Sequence, residues 1–162
     1  MVAAPAVSEL RPRRSAAWSV VFRVAYRLLR LLDPLLRSWL ANGLPGLDGI
    51  VEIRTVGARS GRLRSSLLTL LVVDGRGYVG HPNGAAAWIR NATAAGWLEI
   101  DVDGAPQRRA FTVLPDGRER DAVIRATWRQ QPFPANLLYR AASRHVAAVG
   151  VFARLDPLEA PR

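Results

Sequence analysis

Residues 51–80, VEIRTVGARSGRLRSSLLTLLVVDGRGYVG, contain the pattern that decides the fold. Residues 51–56 alternate between apolar and polar side chains, and residues 64–73 are rich in leucine and β-branched residues. An Asp74-Gly75 pair, typical of a two-residue hairpin turn, then leads into residues 77–80. The spacing predicts a meander of three strands.

The rest of the chain continues this pattern of short elements separated by turn signals. The predicted elements are a helix at residues 85–95, strands at 97–102 and 107–113, a helix at 117–131 and a strand at 146–155. Gly96 suits the left-handed position that ends a helix, and Asp103-Gly104 predicts a second hairpin turn. Alternation on neighbouring strands favours an antiparallel sheet curled into a barrel, with helices over its open ends. Such barrels bind ligands at their mouths or at dimer interfaces, and a homodimer is one candidate assembly.

The region before the strands is predicted to be a tail followed by a helical appendage. Residues 1–14 have the alanine, proline and arginine content of a disordered tail. Residues 15–46 place apolar side chains along a broad helical arc, and arginines recur at positions 23, 27, 30 and 37. The apolar run is too short to span a bilayer, and arginines recur too often for a secretory signal. Asp33 before Pro34 predicts an N-cap, and therefore a second short helix.

This amphipathic segment has two interpretations. Its apolar face packs on the barrel or on a second subunit, or it lies on an anionic membrane surface. We expect the packing role, because it is the commoner use of amphipathicity. The barrel domain is predicted to occupy residues 47–156, followed by a short tail at residues 157–162.

Composition limits the chemistry that this chain can perform. Its 162 residues, 49% of them hydrophobic, are enough for one core. Cysteine is absent, which excludes thiolate nucleophiles and disulfides and is compatible with a cytoplasmic protein, membrane association being the alternative. His81 and His145 are the only histidines, so no three-histidine metal site can form and no metal is expected. We expect both to be ordinary polar residues near the surface.

The formal charge of +10 implies an anionic partner. Nucleic acid, acidic lipid and small molecules carrying phosphates or carboxylates all satisfy that requirement. Basic residues are spread along the chain rather than interleaved with aromatic residues on one face, so no nucleic-acid partner is expected.

The most informative motif is TVGARSGRLR at residues 55–64, in which two glycines frame a tight turn. Backbone amides freed by the turn, together with Arg59, Arg62 and Arg64, would form a concave site for phosphate or carboxylate oxygens. A solvated hairpin tip that carries charges for solubility is the alternative of about equal weight.

A second motif combines Trp88 and Asn91, which are three residues apart and therefore share a helical face. The motif follows closely on His81 and Pro82. An indole can pack against a flat ring while an asparagine amide bonds to the ring's carbonyls and nitrogens. A buried tryptophan with a capping asparagine is the equally ordinary alternative.

Together the two motifs resemble the deazaflavin-dependent nitroreductase family, relatives of the flavin-binding pyridoxamine-phosphate-oxidase-like split barrels. The resemblance covers residues 50–155 and implies an α+β fold, a split β-barrel of about six mostly antiparallel strands with flanking helices. Ala58, Leu67 and Ala92 depart from the family pattern. The implied coenzyme, F(420), carries a phosphate and an oligoglutamate tail, which suit a basic chain.

The resemblance also implies roles for particular residues. The anionic tail would be held by the arginine turn, namely Arg59, Ser60, Gly61, Arg62 and Arg64. His81, Pro82, Trp88 and Asn91 would border the deazaflavin ring, and Tyr139 is the candidate proton donor. The implied activity is hydride transfer from the reduced coenzyme to a quinone, nitroaromatic or activated alkene. An FMN-dependent split-barrel oxidoreductase and a non-catalytic module that binds a deazaflavin or other ligand are the alternatives.

Overall fold

The computed structural model describes residues 14–42, 49–84, 86–102 and 104–158. Most of the tail predicted at residues 1–14 and of the tail predicted at residues 157–162 therefore lies outside the described residues, as does Asp103 of the second hairpin turn. Within the described part of the chain, no helix is long and apolar enough to cross a membrane.

The described elements alternate between helices and strands in an α+β arrangement. The helices are α1 (Ala16–Leu31), α2 (Asp33–Ala41), α3 (Ala87–Ala95), α4 (Arg118–Gln130), α5 (Ala135–Ala141) and α6 (Ser143–Val149). The strands are β1 (Ile50–Val56), β2 (Leu63–Thr69), β3 (Leu71–Val73), β4 (Arg76–His81), β5 (Trp97–Val102), β6 (Ala105–Val113) and β7 (Val151–Pro157).

All the strands belong to one antiparallel sheet in the order β2-β1-β5-β6-β7-β4-β3. The sheet curls, because β2 at one edge returns to contact β4 beside the other edge. This is the split-barrel fold that the sequence predicts.

Two hydrophobic clusters lie on opposite faces of the curled sheet. Successive residues of a strand point to opposite faces, and Tyr78 and Val79 of β4 accordingly belong to different clusters. The inner cluster, which includes Val79, fills the barrel and is covered by α3 through Trp88 and Ile89. The outer cluster, which includes Tyr78 and Phe152, lies under α1, α4, α5 and α6. Each face of the sheet therefore carries a buried cluster.

Several turn and cap predictions are confirmed. Asp74 and Gly75 both have positive φ, of 49° and 75°, as a two-residue hairpin turn requires. Gly96 has φ of 74° and ends α3 in the left-handed conformation. The predicted second short helix is present and begins at Asp33, but the Asp33 carboxylate accepts a hydrogen bond from the Arg37 side chain at 3.0 Å, and its N-cap role stays a prediction.

The prediction of one strand at residues 64–73 was wrong, because the chain forms two strands there. β2 pairs with β1, whereas β3 pairs with β4. Leu70 lies between them, and its N–H donates to the carbonyl of Gly49 at 2.7 Å. The chain therefore changes partner strand at Leu70, and the sheet has seven strands rather than about six.

The prediction of a strand at residues 146–155 was also wrong in its first half. Residues 143–149 form α6, and β7 begins only at Val151. Gly150 separates them at a point of close approach: a Cβ there would lie 2.5 Å from the carbonyl oxygen of Val146. The sequence reading missed α5 altogether. The short apolar run at residues 146–149 suits a buried helix and a strand equally well, which explains the error.

Candidate functional site

The arginine turn, residues 57–64, comprises the loop between β1 and β2 and the first two residues of β2, where Arg64 is paired with Thr55. A Cβ on Gly57 would lie 2.6 Å from Ser60 Oγ and 3.3 Å from the carbonyl oxygen of Arg62, so a side chain there would displace Ser60. Gly61 has φ of +63°, which favours glycine. Three guanidinium-bearing residues, Arg59, Arg62 and Arg64, are exposed on this turn. The turn therefore presents a compact cationic surface on a tightly folded backbone.

Most backbone amides of the turn are already used within the protein, contrary to the prediction that they are free for an anion. The N–H groups of Gly57, Ser60 and Gly61 donate to carbonyls of the same turn at 2.8–3.2 Å. The N–H of Arg62 donates to Ser60 Oγ at 3.4 Å. Any anion held here is therefore bound mainly by guanidinium groups.

Asn91 of α3 fastens the arginine turn to the barrel. Its Oδ1 accepts a hydrogen bond from the N–H of Ala58 at 3.1 Å, and its Nδ2 donates to Thr55 Oγ1 at 3.4 Å. Both Asn91 and Thr55 are buried. The structure thus brings the two sequence motifs into direct contact, with the asparagine as a clamp on the turn.

Trp88, the other member of the second motif, lies inside the barrel. Its ring meets Phe111 edge to face, with centroids 6.1 Å apart, and only 7% of the residue is exposed. Trp88 therefore packs in the inner cluster, which includes Ile53 of β1, the strand that leads into the arginine turn. Its contact with a deazaflavin ring stays a prediction.

His81 lies at the end of β4, next to the buried Pro82. Its ring centroid is 4.5 Å from that of Tyr26 on α1, and its Nδ1 accepts a hydrogen bond from the N–H of Asn83 at 3.2 Å. Burial lowers the pKa of His81 from its ordinary value of 6.5 to about 4. The imidazole is therefore neutral near pH 7.

This lowered pKa predicts acid sensitivity. An unfolded chain takes up a proton on His81 near pH 6.5, whereas the folded protein resists it until about pH 4. The free energy of unfolding should therefore keep its full value above pH 6.5 and fall by about 2 kcal/mol on acidification to pH 4.5. Urea unfolding across this pH range measures the loss. His81→Gln should flatten the profile; an unchanged profile in that variant would assign the loss to other groups.

Tyr139 lies on the opposite face of the sheet from Trp88, in the outer cluster. Its hydroxyl is 3.1 Å from that of Tyr26, and burial raises the pKa of both phenols. Both are therefore protonated at neutral pH. The structure does not bring Tyr139 together with Trp88, and its role as a proton donor stays a prediction.

Both histidines were predicted to lie near the surface. For His145 this prediction was wrong, because the residue is only 1% exposed. Its Nδ1 accepts from the N–H of Ser15 at 3.1 Å, which places its proton on Nε2 for a 2.8 Å bond to Asn83 Oδ1. Asn83 Nδ2 then donates to the carbonyl of Ser19 at 3.1 Å. This network ties the start of α1 to α6 and to the loop after β4. The position of His145 in an apolar stretch gave no sign of it.

Several solved structures resemble this fold, although their sequences are at most 20% identical to this chain. No family model matches the sequence, and no curated protein matches it. Among solved structures, an F(420)-H₂ dependent reductase (FDR-A) is 20% identical with a TM-score of 0.51, over 66% of this chain and 94% of that chain. A structure described as a domain-swapped dimer is 19% identical with a TM-score of 0.50, over 80% of this chain and 98% of that chain.

A third structure with the same fold is HutZ, described as the heme storage protein from Vibrio cholerae. It is 15% identical with a TM-score of 0.51, over 80% of this chain and 92% of that chain. The resemblance predicted from the two motifs is thus confirmed at the level of the fold. This chain is a split β-barrel protein, and an F(420)-H₂ dependent reductase is among the solved structures that share its architecture.

Proposed function

We propose that this protein binds a deazaflavin coenzyme of the F(420) type and passes hydride to a small quinone, nitroaromatic or activated-alkene acceptor. The observation that carries the proposal is the Asn91 clamp on the arginine turn. The clamp holds the backbone of the turn and leaves its guanidinium groups exposed.

The side chains of the turn fit the anionic end of such a coenzyme. Guanidinium groups bind phosphate and carboxylate oxygens through paired N–H donors. Arg59 and Arg62 are exposed on the turn, and the Nε of the exposed Arg64 lies 3.6 Å from the position of a Cβ on Gly57. We assign the acidic tail to these three side chains.

The coenzyme itself would supply the hydride when bound. The protein itself would have three tasks. It would fix the coenzyme tail, hold the arginine turn rigid at the barrel mouth, and place uncharged side chains near the deazaflavin ring. Asn91 performs the second task by fastening the turn. In this proposal, as in the family resemblance, His81 borders the deazaflavin ring. Its imidazole is neutral near pH 7.

The fold does not decide between turnover and storage, because a reductase and a heme storage protein share it. FMN, with a single phosphate and no glutamate tail, would engage fewer of the arginines. A non-catalytic module would bind the coenzyme and leave acceptors unreduced. Mixing protein, reduced coenzyme and an acceptor panel while following coenzyme oxidation by absorbance separates these functions. Acceptor-dependent oxidation supports the oxidoreductase, and tight binding without oxidation supports the module.

Removing the clamp should weaken coenzyme binding. Asn91→Ala removes one hydrogen bond to the arginine turn, at Ala58, and one to Thr55 of β1, so we expect about tenfold weaker coenzyme binding and about 1 kcal/mol less stability. Coenzyme titration and urea unfolding measure the two effects. Thr93→Ala, an exposed change on the same helix, is the matched control. Equal affinity in both variants would remove the clamp from the binding site.

Tyr139→Phe tests the predicted proton donor. Loss of a donor lowers kcat and alters its pH profile, because the reacting group loses its source of protons. Loss of a purely structural hydroxyl lowers stability and leaves the pH profile of kcat unchanged. The position of Tyr139 beside Tyr26 in the outer cluster favours the second result.

A further inference from the structure

Helix α1 has an exposed apolar face, which the described part of the chain leaves uncovered. Its inner face is anchored, because Phe22 is 2% exposed in the outer cluster and Trp18 and Tyr26 pack against the same cluster. On its other side, Leu28 is 56% exposed and Leu31 is 77% exposed. The apolar side chains exposed along this side form the outer stripe, which consists of Val20, Val21, Val24, Leu28 and Leu31.

The outer stripe lies along one side of the helix. At about 100° per residue its members fall within an arc of roughly 100°, on the far side of the axis from Phe22. Arg23, Arg27 and Arg30 lie along one border of this arc and are exposed. On α2, Leu35 and Trp39 are exposed as well. The surface thus combines apolar side chains with a row of cations.

We propose that the outer stripe of α1 binds the surface of an anionic lipid bilayer, with the helix lying in the plane of the interface. Apolar side chains of the stripe would enter the acyl boundary, and the bordering arginines would contact headgroup phosphates. Each arginine held near an anionic bilayer surface adds about 1 kcal/mol of attraction. This inference does not depend on the identity of the coenzyme.

Charge distinguishes a bilayer from a second copy of this chain as the occupant. α1 contains no acidic residue, and the only one in α2 is Asp33, which is already bonded to Arg37. Two copies that packed through their outer stripes would bring two rows of arginines together with no carboxylate from α1 to pair with them. An anionic bilayer instead supplies a negative surface and an apolar layer at the same place.

Helix α1 is held on the folded protein through its start and its inner face, while the outer stripe stays exposed. Hydrogen bonds from Ser15 to His145 and from Asn83 to Ser19 fix the first turn of α1 to the barrel. The helix therefore does not need to leave the barrel to bind lipid. Binding would orient the whole domain on the bilayer, with the inner face of α1 toward the protein.

Vesicle flotation tests the proposal with the full chain. We expect the protein to float with vesicles of phosphatidylcholine and phosphatidylglycerol, and much less with phosphatidylcholine alone. Val24→Ser with Leu28→Ser should lower binding to anionic vesicles at least about tenfold, because apolar burial is lost. Arg23→Gln, Arg27→Gln and Arg30→Gln together should do the same and remove the salt dependence.

Matched controls use similar changes elsewhere on the surface. Val72→Ser with Val113→Ser removes two exposed valines from strands, and Arg118→Gln, Arg125→Gln and Arg129→Gln remove three exposed charges from α4. Both controls should float like the unchanged protein. Failure to float with anionic vesicles would overturn the proposal. So would a homodimer, detected by light scattering, that dissociates when Val24 and Leu28 are replaced, since the stripe would then belong to a second copy.

Discussion

Replacing Arg59, Arg62 and Arg64 together by glutamine is expected to weaken binding of the deazaflavin coenzyme by about 100-fold. All three side chains are exposed on the arginine turn and compete with water for the anion. Each guanidinium contact is therefore worth about 1 kcal/mol, and three of them sum to about 3 kcal/mol. A change of 1.4 kcal/mol is about tenfold in affinity, which gives the expected loss. Fluorescence titration of the variant measures it.

The matched control removes the same charge from α4. Arg118→Gln, Arg125→Gln and Arg129→Gln lower the net charge from +10 to +7, as the turn variant does. This control should bind the coenzyme within about twofold of the unchanged protein, because long-range attraction is screened at physiological salt. Equal losses in both variants would show that net charge, rather than the turn, attracts the coenzyme. The turn would then revert to a solvated hairpin tip.

Arg120→Ala is expected to reduce the free energy of unfolding by about 3 kcal/mol. The Arg120 side chain is buried, and its Nη2 donates to the carbonyls of Ala147 at 2.9 Å and Gly150 at 2.8 Å. These carbonyls lie at the C-terminal end of α6, where a cation is favourable. Without the guanidinium they are left buried with no donor from this side chain. Because α6 carries His145, the change should also loosen the network that holds α1.

Arg125→Ala on the same helix is the control for Arg120→Ala. Arg125 is exposed, and arginine and alanine have similar helix propensities, so its replacement should change stability by less than about 0.5 kcal/mol. Urea unfolding of both variants gives the comparison. Similar stabilities for the two variants would mean that water replaces the guanidinium at the end of α6, and the capping role would be lost.

The elements that sequence reasoning located correctly carry local signals. Asp74-Gly75 specifies its turn through two positive φ values, and Gly96 specifies the end of α3. The arginine turn was recognisable from its two glycines: Gly57 lies close to Ser60 and to the carbonyl of Arg62, and Gly61 has a positive φ. Local chemistry of this kind leaves a mark in the sequence because few residue types satisfy it.

The elements that were missed depend on tertiary contacts. At Leu70 the chain changes partner strand, and neither glycine nor proline marks the point. The run at residues 146–149 became a helix because Val146 packs into the outer cluster while Arg120 caps the end of α6. Nothing local reveals an arginine that acts on carbonyls about thirty residues away.

The same contrast between local signals and tertiary contacts holds for the candidate site. Trp88 and Asn91 were correctly grouped by helical spacing, but only the structure assigns them different parts, the first inside the barrel and the second on the arginine turn. The use of the turn's amides by its own carbonyls was also beyond a sequence pattern. Tyr26 and Tyr139 meet across more than one hundred residues, which spacing cannot show.

Titration of the purified protein with the deazaflavin coenzyme, followed by tryptophan fluorescence, tests the proposed coenzyme site. FMN and a deazaflavin without its anionic tail serve as the comparison ligands. We expect saturable binding of the full coenzyme, weaker binding of both comparison ligands, and loss of that preference in the Arg59, Arg62 and Arg64 variant. Absence of saturable binding, or equal binding of the tail-less deazaflavin, would contradict this expectation and leave a split barrel without a deazaflavin site on its arginine turn.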